Sequence, residues 1–427
     1  MIRTAVALAA ALAMAGLAIG CGDDGEETEQ TSFELVIGDS IPLTGTLSEL
    51  GEPSEKAADL AVLQINEAIA DAGVDHAVEI AHSDNASDPA TADEAARRLI
   101  ESDGASCIIG TAGDDQASET AEQVSIPEKV LQITSAATGD DLSTVDDGGL
   151  VDRTTPPASN QGRALAEEIA DDLGGATGRT VNVAATNVAG GQEVAESFIE
   201  DWTERGGVVG AQVIYSPLQD SYSTQAQELT EGEPEAYVIV DRADTFAPFA
   251  ESLQATGWDP ATAWGTDALL SEQLAAESPD LIEGLRALAP GTPKGEEASA
   301  AFNELYRSAE PTGVKPTRFV AQQFDATILC YLAAVAAGSG DGREMARALI
   351  DNTAPGGEQF SWEELPDAIE ALQAGEDIDY VGASGEVDLD ENGDATAGAY
   401  DVYRYEQGRL AKAGQLPVPE PKGVITD

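Results

Sequence analysis

Gly38-Asp39-Ser40, within the stretch IGDSIPLTG, is a triplet whose serine could act as a nucleophile. In GDS-type hydrolases the serine needs a histidine base, on a late Asp-x-x-His segment, to accept its proton. The chain has only two histidines, His76 and His82; both follow Ser40 closely and neither stands in that pattern. We therefore expect Ser40 not to be a nucleophile and the chain not to be an enzyme.

The stretch DLDENG (388–393) copies the first positions of a calcium-binding loop. The twelfth position would be Ala399, where such a loop requires a bidentate glutamate, and the flanks read as strands. We predict a polar hairpin turn at Asn392-Gly393 instead. Two histidines and scattered cysteines offer no metal-ligand spacing, so we expect no metal site.

Short polar loops follow the apolar strands and remain as candidates for a binding site. They read SIPLTG, GTAGDDQAS, TSAATGDD, TNVAGGQE, VDRAD and GTDALL. Ligands of open parallel sheets bind at the carboxyl ends of strands, beside helix N-termini. The glycine-rich GGATG (174–178) and AGG (189–191) lack phosphate-loop spacing, so no cofactor is expected. The pattern favours a two-lobed binding protein without naming its ligand.

Apolar strands alternate with amphipathic helices from residue 33 onward. A first series contains FELVIG, HAVEIAHSD, ASCIIG and KVLQITS, and a second contains TVNVAAT, VVGAQVIYS and EAYVIV. Such alternation predicts an α/β fold with parallel, doubly wound sheets, here in two Rossmann-like lobes. After AWGTDALL the pattern is mostly helical, and we expect this part to return to the first lobe. Paired strands near 379–405 are expected to join the second lobe, giving several crossovers and a hinge.

The predicted organisation divides the chain into five parts. They are a signal peptide (1–20), a lipid-anchored acidic tether (21–32), a first lobe (33–152 plus 268–355), a second lobe (153–267 plus 356–410) and a C-terminal tail (411–427).

The N-terminus has the features of a secretory signal. One positive charge at Arg3 precedes an apolar stretch too short to span a bilayer. The sequence Ala18-Ile19-Gly20-Cys21 resembles a bacterial lipoprotein box, which implies a mature chain that begins at Cys21 with lipid on its thiol. We expect an extracytoplasmic protein anchored to the cell membrane.

The net charge excludes some classes of binding partner, and the position of the cysteines indicates their state. The formal net charge is −58, from 79 acidic and 21 basic residues, so nucleic acid and anionic membrane surfaces would repel the chain. Because the charge is spread along the sequence, we interpret it as a solubilising surface. Cys107 and Cys330 lie in apolar runs, and we predict buried free thiols, although the exported location would permit a disulfide.

The chain resembles the substrate-binding lipoproteins of ABC transporters that are related to branched-chain amino acid-binding proteins. The matching stretches are IPLTGTLSELGEPSEKAADLAVLQIN, SDNASDPATADEAARRLIESDGASCIIG, VDRTTPPASNQGRALAE, FDATILCYLAAV and IDYVGASGEVDLDENGDATAGAYDVYRY. The resemblance implies a type I periplasmic-binding fold, whose two lobes are joined by a three-crossover hinge. It also implies that the lobes close on a small solute and dock on a membrane permease.

The resemblance further implies which residues touch the ligand. In this family two loops of the first lobe hold a carboxylate, which places Asp114, Ala136 and Thr138 in the site. An acidic residue of the second lobe receives the ammonium group, and it falls on Asp267. The alternative role for Thr138 and Asp267 is helix capping.

Several positions depart from the family pattern. Asp114, followed by Asp115, stands where a small hydroxyl residue is usual, and two carboxylates there would repel a ligand carboxylate unless they point away. Tyrosines that often close the pocket are replaced by Leu50, Gly190 and Arg242 or Ala243. Arg242 could meet an acidic group of the ligand or pair with a surface aspartate. These departures leave open a different amino acid, an amide or a cationic metabolite.

The function expected from the sequence is that of a lipid-anchored receptor of an uptake transporter. It would act as a monomer, bind an amino acid or a related small polar solute, and deliver it to a permease. The rival is a ligand-sensing receptor of the same fold, coupled to a signalling partner, for an amide, polyamine or other metabolite.

Overall fold

A computed structural model describes residues 32–419, apart from 188, 218, 292, 294–296, 312 and 354–355. The predicted signal peptide, Cys21 and nearly all of the predicted tether lie outside these residues.

The first sheet has five parallel strands, each reached through a helical or turn segment. The strands are β1 (Phe33–Ile41), β2 (His76–Asp84), β3 (Cys107–Gly110), β4 (Leu131–Thr134) and β5 (Val151–Arg153). Their order across the sheet is β2-β1-β3-β4-β5. The helices are α1 (Ser48–Ala72), α2 (Pro89–Glu101), α3 (Asp114–Thr120), which continues as a π-helical turn (Ala121–Ser125), and α4 (Ile126–Glu128). A 3-10 turn (Asp140–Ser143) precedes β5.

The second sheet has seven strands and mixes parallel with antiparallel pairing. The strands are β6 (Thr180–Thr186), β7 (Val208–Tyr215), β8 (Ala236–Val240), β9 (Ala263–Gly265), β10 (Arg286–Gly291), β14 (Ala399–Glu406) and β15 (Arg409–Pro417). Their order is β15-β14-β10-β9-β8-β6-β7, and only β14 and β15 pair antiparallel to their neighbours. The helices are α5 (Ala158–Leu173), α6 (Ala189–Glu204), α7 (Ser223–Leu229), α8 (Ala243–Gln254), α9 (Glu272–Glu277) and α10 (Pro279–Ile282). Short 3-10 turns lie at Pro260–Thr262 and Asp267–Leu269.

A C-terminal helical part completes the first lobe. Its helices are α11 (Glu297–Ser308), α12 (Val320–Ala337), α13 (Gly342–Asp351) and α14 (Leu365–Gln373), with a 3-10 turn at Trp362–Glu364. A small sheet of β11 (Glu358–Ser361), β12 (Ile378–Gly382) and β13 (Gly385–Glu386) packs beside them. Helix α12 is long and apolar enough to cross a membrane, with a mean hydropathy of 1.3, but 89% of it is buried inside the protein. It is therefore the central helix of a core.

The chain passes between the two lobes three times. One hydrophobic core joins the first sheet to the C-terminal helices, and separate cores flank the second sheet. The crossings run from Arg153 to Ala158, from Gly291 to Glu297 and from Ala395 to Ala399. The predicted α/β fold of two Rossmann-like lobes joined by three crossovers is confirmed.

Three segments lie in a different lobe from the one assigned by the predicted boundaries. The segment of α9, α10 and β10 belongs to the second lobe, because β10 pairs with β9 and β14 and the two helices pack in a core that flanks the second sheet. Helix α14 and strands β11 to β13 belong to the first lobe, where the buried carboxylate of Asp325 accepts hydrogen bonds from Tyr380, Ala383 and Ser384. The predicted tail begins inside β15, which pairs with β14 along its length.

The prediction of free thiols is wrong, because Cys107 and Cys330 form a disulfide. Cys107 lies on β3 and Cys330 on α12, which packs across the first sheet. Their Cα atoms are 6.1 Å apart, within the range that a disulfide spans. The bond fastens the central helix to the sheet beneath it.

Candidate ligand-binding cleft

Asp114 is placed at the cleft by the first turn of α3, directly after the loop that follows β3. Its Oδ1 accepts hydrogen bonds from the main-chain N–H groups of Thr138, at 2.6 Å, and Gly139, at 2.9 Å. Burial raises the pKa of Asp114 and the charge of Asp267 adds to this, whereas the two N–H groups and Arg153 oppose it. The neighbouring Asp115 is exposed.

Ala136 and Thr138 lie in the loop after β4, opposite α3. Ala136 is buried against Leu50 and Phe319, so it forms an apolar wall beside the polar groups. Thr138 donates its N–H group to Asp114, and its carbonyl oxygen accepts from Ala158 N in the first turn of α5. The structure thus brings Asp114, Ala136 and Thr138 to one edge of the first sheet.

Asp267 lies in the second lobe at the start of its 3-10 turn and contacts the first lobe through Arg318. The guanidinium group of Arg318 donates to the carbonyl oxygen of Asp267 at 2.6 Å, and Asp267 Oδ2 is 3.7 Å away. Gln161 donates to Asp267 Oδ1 at 3.1 Å, and Arg318 also reaches Glu49. The carboxylate therefore accepts from other elements instead of capping its own turn.

A second contact joins the lobes at Asp140 and Glu193. The main-chain N–H of Asp140 donates to Oε2 of Glu193, on α6, at 2.9 Å. Burial raises the pKa of Glu193, and the charges of Asp140, Asp141 and Asp114 raise it further. Together with the Arg318 contact, this one holds the lobes against each other.

The two remaining predicted residues do not join this group by any described side-chain contact. Arg242 is exposed at the N-cap of α8, and its guanidinium group pairs with Asp244 in the first turn of that helix at 3.0 Å. Of the two roles left open for Arg242, the structure shows the surface ion pair. Gly190 lies in the first turn of α6, where the structure describes only the backbone.

Ser40 is buried in β1 and is not paired with a histidine. The ring nitrogens of His82 contact Asp39, at 2.7 Å, and Asp59, at 3.2 Å. Burial lowers the pKa of His82, but hydrogen bonds and charges from Asp39 and Asp59 outweigh this and raise it to about 10. His82 is therefore a charged partner of a buried carboxylate, and not a base for Ser40.

The acidic stretch 388–393 forms the predicted turn. Leu389 and Ala395 pair in an antiparallel bridge, and Asp390 Oδ1 accepts from the N–H groups of Asn392 and Asp394. Asp394 in turn binds the buried Arg153, whose guanidinium group also donates to the carbonyl oxygen of Gly139. The turn thus supports the loop that holds Asp114.

A small cavity lies where the three crossings meet. Its lining includes Thr154, Gly291 and Ala397, one from each crossing, and among the described residues Glu386 is its one ionisable side chain. It contains none of the six predicted site residues. The cavity belongs to the hinge, whereas the polar groups that could recognise a solute lie around Asp114 and Asp267.

Several cleft residues were not identified from the sequence. They are Asp140, Gln161, Glu193, Arg318 and Tyr400. Arg318 offered a weak signal, since it is one of only 21 basic residues in the chain and stands two positions before the long helix α12. The others stand on helices and strands like many exposed residues, and only the crossing of the lobes brings them together.

Comparisons with known proteins agree with this architecture. The sequence profile of the periplasmic binding protein family matches residues 34–409. The chemotactic signal transduction system substrate-binding protein BasB of Halobacterium salinarum is 24% identical over 387 residues, covering 89% of this chain and 88% of that protein.

Solved structures show the same fold. The leucine-binding protein LivK of Thermotoga maritima superposes with a TM-score of 0.68 at 22% identity, covering 90% of this chain and 98% of its own. A solute-binding protein of an ABC transporter from R. palustris, in complex with benzoate, superposes with a TM-score of 0.65 at 18% identity, covering 91% and 98%. These are binding proteins with chemically different ligands. The chain belongs to the periplasmic binding protein family and has the two-lobed type I fold of that family.

Proposed function

We propose that the chain is the solute-binding component of an ABC uptake transporter, held at the outer face of the cell membrane by lipid on Cys21. It acts as a monomer, binds an amino acid or a related small polar solute between its lobes, and delivers that solute to a permease. Closure is a hinge motion about the three crossings, so that contacts from both lobes form only when the lobes shut.

The observation that carries this proposal is the convergence of polar groups from both lobes on one cleft. Asp114 and Thr138 come from the first lobe, and Glu193 and Asp267 from the second. Helix N-termini and strand ends supply the site, as is usual in open α/β sheets. Arg318, which reaches Asp267, is a bridge that a ligand could replace or strengthen.

The lipid anchor is supported by the sequence Ala18-Ile19-Gly20-Cys21 and is tested separately. Cells that produce the protein are grown with a labelled fatty acid, and the label is expected on the wild-type chain and not on Cys21→Ser. The variant should also move from the membrane to the soluble fraction. Equal labelling of both chains contradicts the anchor and leaves the binding function untouched.

A thermal-shift screen of the mature chain against amino acids, amides and polyamines tests solute binding. A ligand at one hundred times its Kd adds about 2.7 kcal/mol of stability. With an unfolding entropy of about 0.8 kcal/mol per kelvin for roughly 390 residues, the midpoint should rise by about 3 °C. A folded protein that shows no shift with any small solute refutes the proposal.

A sensing role is the second candidate, and the relation to BasB, a chemotactic signal transduction protein, favours it. In that role the closed lobes report the ligand to a signalling partner. Deleting the gene separates the two roles. Loss of labelled-ligand uptake supports delivery to a permease, whereas unchanged uptake with loss of chemotaxis towards the same ligand supports sensing.

A further inference from the structure

An internal carboxylate occupies the anion-accepting groups of the first lobe. The successive main-chain N–H groups of Thr138 and Gly139 both point to Oδ1 of Asp114. Neighbouring N–H groups that converge in this way form a concave site for an anion. The close approach favours glycine at residue 139, because a Cβ there would lie 3.2 Å from the Cβ of Asp114. A ligand carboxylate would have to displace Asp114 to reach these donors.

Four carboxylates come together around this point. The charge of Asp267 raises the pKa of the buried Asp114, and the charges of Asp140 and Asp114 raise that of Glu193. Two of the four belong to each lobe. Closing the lobes therefore concentrates negative charge in the cleft, which attracts cations and repels anions.

The arginines that approach the group already have partners in the protein. Arg153 is bound to Asp394 and to the carbonyl oxygen of Gly139. Arg318 bridges Asp267 and Glu49, and Arg163 donates to Asn160. Most of their donors are thus used within the protein, which limits what they offer to an incoming anion; Nε of Arg318 is buried without a partner among the described residues, and the charge of Arg153 still acts on Asp114.

Two polar atoms near the cluster, the hydroxyl of Tyr400 and Oδ2 of Asp114, make no hydrogen bond within the described part of the chain. The hydroxyl of Tyr400 is fully buried and makes no hydrogen bond to the described residues. Tyr400 lies on β14 opposite Pro290 of β10, and Gln161 joins β10 to Asp267, whose charge also acts on the tyrosine. Oδ2 of Asp114 has no hydrogen bond within the described part of the chain, since both bonds to this side chain use Oδ1. Both atoms can accept a hydrogen bond from an ammonium group.

We propose that the cleft binds an amine-bearing cation that presents no carboxylate, such as a diamine, a decarboxylated amino acid or an amino acid amide. The inference rests on the proposed function and narrows its ligand class. Asp114 fills the place of a ligand carboxylate and turns the first lobe into an acceptor of positive charge. Asp267 and Glu193 complete the acceptor from the second lobe.

Pairs of ligands that differ in their carboxylate test the proposal by calorimetric titration of the mature chain. The pairs are agmatine with arginine, putrescine with ornithine, and leucinamide with leucine. In at least one pair, the member without a carboxylate should bind at least about tenfold more tightly, which corresponds to about 1.4 kcal/mol. Tighter or equal binding of the carboxylate-bearing member in every pair that binds overturns this inference and leaves the proposed function standing. Absence of binding by both members of all pairs, and by benzoate, overturns both.

Substitutions at Asp114 test whether this residue causes the preference for ligands without a carboxylate. Asp114→Asn retains an oxygen that accepts from Thr138 and Gly139 but removes the charge, so amine binding should weaken at least about tenfold. Asp114→Ser frees the two N–H groups and should improve binding of the carboxylate-bearing member. Asp115→Asn, at the exposed neighbouring residue, is the matched control and should change neither. Unchanged amine affinity in Asp114→Asn, with an unchanged melting midpoint, contradicts the assignment.

Discussion

Removing the Cys107–Cys330 disulfide is expected to destabilise the protein strongly. The two cysteines are 223 residues apart, so the bond closes a very long loop in the unfolded chain. The loop-entropy relation gives about 5 kcal/mol for a loop of this length. With an unfolding entropy of about 0.8 kcal/mol per kelvin, the melting midpoint should fall by about 6 °C.

The assay is a set of thermal or denaturant unfolding curves for Cys107→Ala, Cys330→Ala and the double variant, each without reductant. Either single substitution already breaks the bond. Each single variant should therefore lose nearly as much stability as the double variant, and the three effects should be strongly non-additive. A reductant should lower the midpoint of the wild type and leave the double variant unchanged, which is the internal control.

Additive costs would refute this reasoning. If the cysteines were free buried thiols, each substitution would remove only a sulfur atom from the core, at a cost of about 1 kcal/mol. The double variant would then lose the sum of the two, and reductant would have no effect on the wild type. Mass spectrometry of the non-reduced protein gives an independent reading, because reduction of a disulfide adds two hydrogen atoms.

Three further outcomes are expected. Asp267→Ala should abolish binding of an amine-bearing ligand and leave the melting midpoint unchanged. Asp244→Ala removes an exposed ion pair and is the control, so its ligand affinity should equal that of the wild type. Equal affinity in both variants would exclude Asp267 from the site. The folded pKa of His82, about 10, lies above its ordinary value of 6.5, so its pairing with Asp39 stabilises the fold fully below pH 6.5. This stability is lost as the pH rises towards 10, and unfolding curves of His82→Asn should lack that part of the pH dependence. Ser40→Ala should leave any trace esterase signal unchanged, and disappearance of such a signal would reverse the exclusion of a nucleophilic serine.

Much of the fold could be predicted because its signals are local. The strand ends at Asp84 and Val240 and the helix start at Asp114 follow from alternation, apolar runs and turn residues within a few positions. Strand β10 was assigned to the wrong lobe because its sequence, RALAPG, is compatible with a strand in either sheet. Its place is decided by pairing with β14, more than a hundred residues later.

The loops that carry the candidate site could be predicted from the sequence, but the orientation of their charged side chains could not. Asp114 and Asp115 are equivalent in the sequence, and only the orientation of α3 directs the first to Thr138 and leaves the second exposed. Arg242 pairs with Asp244, two residues away. This depends on the conformation of the arginine side chain, which the sequence pattern does not specify. The disulfide depends on α12 lying across β3, and that packing has no local signal.

Each lobe is built from segments that are far apart in the chain, and this delays the folding of both lobes during synthesis. The core of the first lobe needs α12, and the second sheet needs β14 and β15, which close it at one edge. Because the chain emerges N-terminus first, neither lobe can fold completely until its C-terminal segments have been synthesised. Partly folded intermediates therefore expose apolar sheet surface. A net charge of −58 would make such intermediates repel one another during that interval. The acidity that hydrates the finished surface would thus also protect the protein while it is being made.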